Sequence, residues 1–371
     1  MNEINPFVIY GYEGPETFCD REEETAKLLR AVENGRNVTL LAERRIGKTG
    51  LIKHFFHCLE EKKEFKTVYV DIFATRDLTE FTKCFAAAII GQMDTNVEKA
   101  LEAATRFFKS FRPGLTVDPV TGAQTYSFGL QPLQVESTLK ECFDYLATRG
   151  PCVVAIDEFQ QVAEYPEQGT EALLRSYVQF LPQVRFVFAG SRHHLMTEMF
   201  SSAKRPFYNS TQTLPLERID RERYFAFSSS KMSEVGVALP RETFDLVLEL
   251  FDGITWYVQT TMNRLFERQS ATVEDVRTVV DELLIEKTWE YAALLKSLPN
   301  GSVRLLKAVA RARKVKAATS ADFIAENGLR GASSVHLSLT KLLEDEVLYD
   351  TDDGIVVYDR LFALWLRRLP T

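Results

Sequence analysis

The chain has 371 residues, of which 45% are apolar and 26% are charged, and its formal net charge is −7. This is the composition of an ordinary globular protein with room for two or three domains, and it excludes collagen-like, coiled-coil and disordered chains. Apolar runs such as residues 85–90 are far below the roughly 18 residues of a membrane span, so a transmembrane protein is excluded. The first residues lack the basic and apolar pattern of a secretory signal, so we expect a cytoplasmic protein without a membrane partner.

The first part of the chain reads as strand, loop and helix. Residues 37–42 form a short β-rich apolar run, and a glycine-containing loop follows directly. Apolar residues at helical spacing then extend from Leu51 to Leu59. Further apolar strands are predicted at 67–72, 152–156 and 184–189, with helical segments such as 78–93 between them.

Buried strands that alternate with helices predict an α/β fold in which helices cover both faces of a parallel sheet. We assign this core to residues 1–216. A turn composition at residues 118–122 lies between two β-rich runs and predicts a hairpin inserted at about 113–130.

Strand signals stop after residue 216. Residues 217–296 have almost entirely helical periodicity, which predicts a helical second domain with helices at 221–230, 241–251, 255–267 and 273–295. A Leu-Pro-Asn-Gly break follows, and residues 297–371 then show three shorter helices and a two-stranded hairpin. This is the outline of a winged helix-turn-helix, in which residues 333–344 would be the recognition helix.

The loop after the first strand matches the phosphate-binding pattern G-x-x-x-x-G-K-[ST], except that Ala42 replaces the first glycine. Such a loop directs backbone N–H groups at phosphate oxygens, and the following helix adds positive potential. Lys48 is expected to hold the β- and γ-phosphates and Thr49 to place its hydroxyl on Mg²⁺. The predicted phosphate-binding residues are Ala42, Glu43, Arg44, Arg45, Ile46, Gly47, Lys48, Thr49 and Gly50.

Two acids end the apolar strand at 152–156. Asp157 is expected to hold Mg²⁺, and Glu158 to orient and deprotonate the attacking water. The alternative is that these acids only begin a helix. The next strand ends near Ser191 and Arg192, either of which could sense the γ-phosphate or simply be a loop residue.

Four cations cluster in the C-terminal part of the chain, at Arg311, Arg313, Lys314 and Lys316. One interpretation is a solvated helix end, where cations oppose the negative end of the helix dipole. The other is contact with a nucleic-acid backbone, which a chain of charge −7 permits only at a local patch.

Seven segments together resemble the archaeal-type ATPase family, in the STAND branch of the AAA+ related P-loop NTPases. They are Asn5–Phe7, Phe18–Glu24, Arg44–Thr49, Ile156–Gln160, Arg205–Tyr208, Phe251–Tyr257 and Tyr358–Leu366. The resemblance implies an ATP-binding core, a helical lid and a C-terminal winged helix. It also implies that Phe18 and Arg21 lie beside the adenine or ribose.

Two positions depart from the pattern of that family. Thr255 stands where many relatives have a lid proline that packs on the adenine. Many relatives have an arginine after the position of Tyr208 as a candidate arginine finger, and this chain has none there. We assign that role to Arg205, which precedes the same element.

The leading hypothesis is a slow Mg²⁺-dependent ATPase that acts as a nucleotide-controlled conformational switch. The alternative is a DNA-binding regulator that binds nucleotide with negligible hydrolysis. A small-molecule kinase has little support because no acceptor-site motif is present. ATP and ADP are the expected ligands, and the winged helix could dock DNA, a protein partner or a second copy of the chain.

Overall fold

The computed structural model describes residues 4–93, 112–117, 124–129, 134–351 and 353–369. The chain divides into two compact units, one formed by Tyr10–Arg223 and the other by Tyr224–Thr371 together with the residues up to Ile9. The predicted boundary at residue 216 falls just before this division, whereas the first residues, assigned to the core, belong to the second unit. Within the described residues, no helix is long and apolar enough to cross a membrane.

A five-stranded parallel sheet forms the centre of the first unit. Its strands are β1 (Val38–Ala42), β2 (Lys66–Asp71), β5 (Cys152–Asp157), β6 (Val184–Gly190) and β7 (Gln212–Leu216), and β3 (Arg112–Val117) and β4 (Gln124–Gly129) form a separate antiparallel hairpin. The spatial order in the sheet is β2-β5-β6-β1-β7. Every residue of β1 and β5 is buried, as their continuous apolar sequences require.

Helices cover both faces of this sheet. They are α1 (Glu22–Glu33), α2 (Lys48–Lys62), α3 (Leu78–Met93), α4 (Val135–Ala147), α5 (Thr170–Val178) and α6 (His193–Ser201), with 3₁₀ turns at Pro15–Thr17 and Phe159–Glu164. One apolar cluster contains Phe81, Phe85 and Leu139, from α3 and α4. A second contains Leu28 from α1 and Phe55 from α2, so the sheet is sandwiched as predicted.

Four of the five parallel strands and the whole of α3 lie where the sequence predicted them. The strand β7 was not predicted, because Pro215 breaks the strand pattern there. Because β7 is one of the two edge strands of this sheet and pairs only with β1, with Pro215 opposite Leu41, a proline is tolerated there. The hairpin appears where it was predicted, and its predicted turn at 118–122 lies outside the described residues.

The second unit is mainly helical. Its elements are α7 (Arg221–Glu234, which begins in the first unit), α8 (Arg241–Leu250), α9 (Thr255–Arg268), α10 (Val273–Ser297), α11 (Asn300–Ala312), α12 (Ala321–Glu326), α13 (Ala332–Glu344), β8 (Leu348–Thr351), β9 (Gly354–Val357) and α14 (Arg360–Arg368). Thr272 and Asp275 form a reciprocal capping box that fixes the start of α10. Pro299 separates α10 from α11, as the sequence predicted. The helix α14 was not predicted from the sequence, although Asp359 caps its first turn.

The first residue of α14 connects the winged helix to the preceding helices through side-chain contacts. Arg360 is buried, and its Nε lies 2.8 Å from Asp252 Oδ2 in the loop before α9. The Arg360 backbone N–H donates to the Tyr257 hydroxyl at 3.1 Å. Two segments that resemble the family pattern, around Asp252 and around Arg360, therefore meet in space.

Candidate functional site

The phosphate loop connects the buried strand β1 to the N-terminus of α2. Gly47 precedes the helix with φ of 96°, a conformation that L side chains rarely adopt. Lys48 is the first helical residue, and its side chain is buried. This is the strand, loop and helix geometry that the sequence pattern predicted, with Ala42 in place of the first glycine.

Lys48 lies between the two acids at the end of β5. Its Nζ is 2.7 Å from Asp157 Oδ1 and 2.7 Å from Glu158 Oε1. In the sheet, β6 alone separates β5 from β1, and the carboxyl ends of all these parallel strands meet at one edge. The sheet order therefore brings together residues that are about a third of the chain apart.

The other carboxylate oxygen of Asp157 accepts two hydroxyl hydrogen bonds. Thr49 Oγ1 donates to Asp157 Oδ2 at 2.9 Å, and the Tyr69 hydroxyl donates to the same oxygen at 2.8 Å. Burial, followed by the charge of Asp157, raises the pKa of Tyr69, so this phenol stays protonated as a donor. Sequence analysis missed Tyr69, and its place near the end of the strand next to β5 is visible only once the strand order is known.

Glu158 occupies a left-handed backbone conformation with φ of 57°. Its Oε2 accepts a hydrogen bond from Ser191 Oγ at 2.7 Å and another from the side-chain amide of Gln160. Burial alone would raise the pKa of Glu158, but the Lys48 charge and these hydrogen bonds outweigh it and lower the pKa overall. Glu158 is therefore ionised at neutral pH, as a proton acceptor must be.

Ser191 also connects Glu158 to the phosphate loop, because Arg44 Nε donates to Ser191 Oγ at 3.2 Å. The structure thus brings Ser191 into the constellation that the sequence proposed. The sequence offered no chemical reason to expect Gln160 in the site. Its position two residues after Glu158 was the only signal that it could contact that side chain.

Phe18 and Arg21 lie against the phosphate loop. The Phe18 ring stacks on His54 of α2, with centroids 4.4 Å apart, and a Cβ added to Gly50 would lie 3.5 Å from Phe18 Cε2. Arg21 is buried and donates from Nη2 to the carbonyl oxygen of Ile46 at 3.4 Å. Their contact with adenine or ribose stays a prediction.

The two arginines for which the sequence suggested a role at the γ-phosphate have carboxylate partners on other elements. Arg205 Nη1 is 3.2 Å from Glu171 Oε1, and Arg205 Nε is 3.4 Å from Glu198 Oε1. Arg192 pairs with Glu164. A role for Arg205 at a phosphate stays a prediction.

The donor set suits a magnesium ion held jointly with phosphate. Thr49 and Asp157 offer a hydroxyl and a carboxylate oxygen side by side, the hard oxygen ligands that Mg²⁺ prefers. Among the residues that the structure describes, no group of three or more His, Cys, Asp or Glu side chains could hold a metal. This pair fits a cation that takes its remaining ligands from water and substrate.

A parallel sheet with a phosphate loop after β1 and two acids at the end of β5 defines the protein as a P-loop nucleoside triphosphatase. Residues 18–261 match the family model described as an ATPase domain predominantly from Archaea, and the chain belongs to that family. Residues 289–368 match a probable winged helix domain.

Solved structures share this fold across nearly the whole chain. A Walker-type ATPase of Pyrococcus abyssi is 21% identical with a TM-score of 0.68, and the match covers 98% of this chain and 99% of that one. The ORC2 protein of Aeropyrum pernix, in its ADPNP-ADP complexes, is 17% identical with a TM-score of 0.59, covering 98% and 96%. A comparison with curated proteins finds no significant match.

Proposed function

We propose that this protein is a slow, Mg²⁺-dependent ATPase of the STAND type, in which nucleotide state controls the conformation of a lid and winged helix. The observation that carries this proposal is the convergence of Lys48, Thr49, Asp157, Glu158 and Ser191 at one edge of the sheet. The ADPNP and ADP bound in the Aeropyrum pernix structure support an adenine nucleotide as the ligand.

Each residue of this site has a role that its contacts support. The N-terminus of α2 and the Lys48 ammonium would bind the β- and γ-phosphates, with Lys48 exchanging its two carboxylate partners for phosphate oxygens. Thr49 and Asp157 would hold Mg²⁺, which neutralises phosphate charge when it is bound.

Glu158 would then be released from Lys48 while Ser191 and Gln160 still fix its second oxygen. Its free oxygen could orient the attacking water and accept its proton.

Glu158→Gln tests the proposed base. This isosteric change keeps hydrogen-bonding capacity but removes the proton acceptor, so we expect ATP binding to persist and phosphate release to fall about 10²-fold or more. Calorimetry would measure binding and a coupled phosphate assay would measure turnover. Glu61→Gln, at an exposed carboxylate on α2, is the matched control. Unchanged turnover in Glu158→Gln would place the base elsewhere.

A second candidate function is a DNA-binding regulator with negligible hydrolysis. It is favoured by the winged helix domain. Phosphate release, measured with and without duplex DNA, distinguishes the two candidate functions. The switch releases phosphate with or without DNA, whereas the regulator releases almost none in both measurements.

An arginine finger supplied by a second copy would require Arg205 to leave Glu171 and Glu198.

A further inference from the structure

The winged helix carries a continuous concave surface along α11, which we call the α11 groove. One part is a cavity of about 400 Å³ between the start of α11, the turn before α13 and the first turns of α13. The other is a cavity of about 530 Å³ between the middle of α11 and the end of α12. Both cavities are lined by Asn300 and Arg304, which makes them parts of one surface.

The charged residues that line the two cavities are all basic. Arg304, Lys307 and Arg311 recur at spacings of three and four residues and so share one face of α11. Arg330 adds a fourth cation from the turn before α13. Of the described residues that line the two cavities, none is a carboxylate. In a chain of net charge −7, such a segregated surface indicates an anionic partner.

The neutral groups of the groove fit the same kind of partner. Asn300, Asn327, Ser334 and Ser338 provide amide and hydroxyl donors between the cations. The N-termini of α11 and α13 also contribute residues to the lining. Phosphate backbones are contacted by this mixture of basic side chains, short polar side chains and helix N-termini.

The size and composition of the groove decide between anionic partners. Its two cavities are too extended for one phosphate, and the described lining residues include no aromatic ring on which a single-stranded base could stack. Protein hot spots are enriched in tryptophan, tyrosine and arginine, and the described lining residues include only the arginines, so an acidic protein is the competing partner that the test must separate from duplex. We propose that the α11 groove binds the phosphate backbone of duplex DNA without reading its sequence.

This site differs from the cation cluster that the sequence suggested. Of that cluster only Arg311 lines the groove, whereas Arg313 and Lys314 line a separate cavity of about 60 Å³ with Arg360. Lys314 also pairs with Asp353 at 2.8 Å. The inference deepens the second candidate function by naming which face of the winged helix meets DNA.

The test is a titration of fluorescently labelled mixed-sequence duplex with the full-length protein, followed by anisotropy at several salt concentrations and without nucleotide. If all four cations contact phosphates, the slope of log K against log salt should be about −3.6, from roughly −0.9 per contact. The double variant Arg304→Gln/Lys307→Gln should reduce this slope to about −1.8. A duplex of scrambled sequence should bind equally well.

Arg313→Gln/Lys316→Gln is the matched control, since it removes the same charge outside the groove and should keep the wild-type slope. Tryptophan fluorescence would confirm that both variants are folded. Failure to bind duplex at low salt, or equal losses in the two double variants, would overturn the proposal. Stronger binding of polyglutamate than of duplex would also overturn it and would point to an acidic protein. Because nucleotide is absent, the result is independent of whether the protein hydrolyses ATP.

Discussion

At the residue scale, the tyrosine Tyr69, which lies outside the phosphate-loop motif, contributes a hydrogen bond to the site. Asp157 has Lys48 on one oxygen, and on the other it has Thr49 and Tyr69. If Thr49 turns to a metal, the Tyr69 hydroxyl remains to orient the carboxylate. Outer partners of this kind commonly change metal affinity or activity by 10–100-fold.

Tyr69→Phe should therefore weaken metal binding about 10-fold in the presence of ADP. The change removes one hydroxyl and leaves the ring in place, and it should leave metal-free ADP affinity unchanged. Paramagnetic resonance of Mn²⁺, used as a probe for Mg²⁺, would measure the affinity. Tyr10→Phe alters an exposed tyrosine and serves as the control. Equal Mn²⁺ affinity in all three proteins would show that Tyr69 does not position Asp157.

At the element scale, the end of β6 depends on the absence of a side chain at Gly190. A Cβ there would lie 2.2 Å from Gln160 Oε1 and 2.7 Å from Met196 Cγ. Both neighbours are buried, and Gln160 also donates to Glu158. The packing of β6 against the 3₁₀ turn is thus coupled to the position of the proposed base.

Gly190→Ala should destabilise the first unit by about 1–3 kcal/mol, the usual cost of overpacking a core. It should also lower phosphate release, because displacement of Gln160 disturbs Glu158. Urea unfolding followed by far-ultraviolet circular dichroism would measure the loss. Gly50→Ala is the control for the stability measurement alone, since its added Cβ meets only the Phe18 ring at an ordinary 3.5 Å. A Gly190→Ala protein as stable as Gly50→Ala would contradict this account.

The individual strands and helices differ in how well they could be predicted from the sequence. Local signals sufficed for β1, β5, β6 and α3, because their apolar runs and periodicities are continuous. They failed at β7, because a proline is normally a sign against a strand and Pro215 is tolerated only at the edge of the sheet. They also failed at Tyr69, because its contact with Asp157 depends on which strands are neighbours. Strand order is a property of the whole sheet, so no local pattern contains it.

At the scale of the whole molecule, the chain contributes to the second unit twice. Residues up to Ile9 belong to it, the first unit follows, and the chain returns at Tyr224. Phe7 is buried and packs edge to face on Phe227 and Phe266. Hydrogen bonds of 2.8 Å join the Asn5 side chain to the Asn263 carbonyl and the Asn263 side chain to the Phe7 carbonyl.

Phe7→Ala should therefore destabilise the second unit, although Phe7 is more than two hundred residues from its packing partners in sequence. The expected loss is about 3–5 kcal/mol, as for other buried phenylalanines truncated to alanine. All three tryptophans, Trp256, Trp289 and Trp365, lie in the second unit, so their fluorescence during denaturation reports on that unit alone. Ile4→Ala, at a side chain that is 84% exposed in the same segment, should leave the transition within about 0.5 kcal/mol of wild type. If Phe7→Ala and Ile4→Ala unfold at the same denaturant concentration, the N-terminal segment is not part of the second core, because a side chain that fills a packed core cannot be removed without this cost.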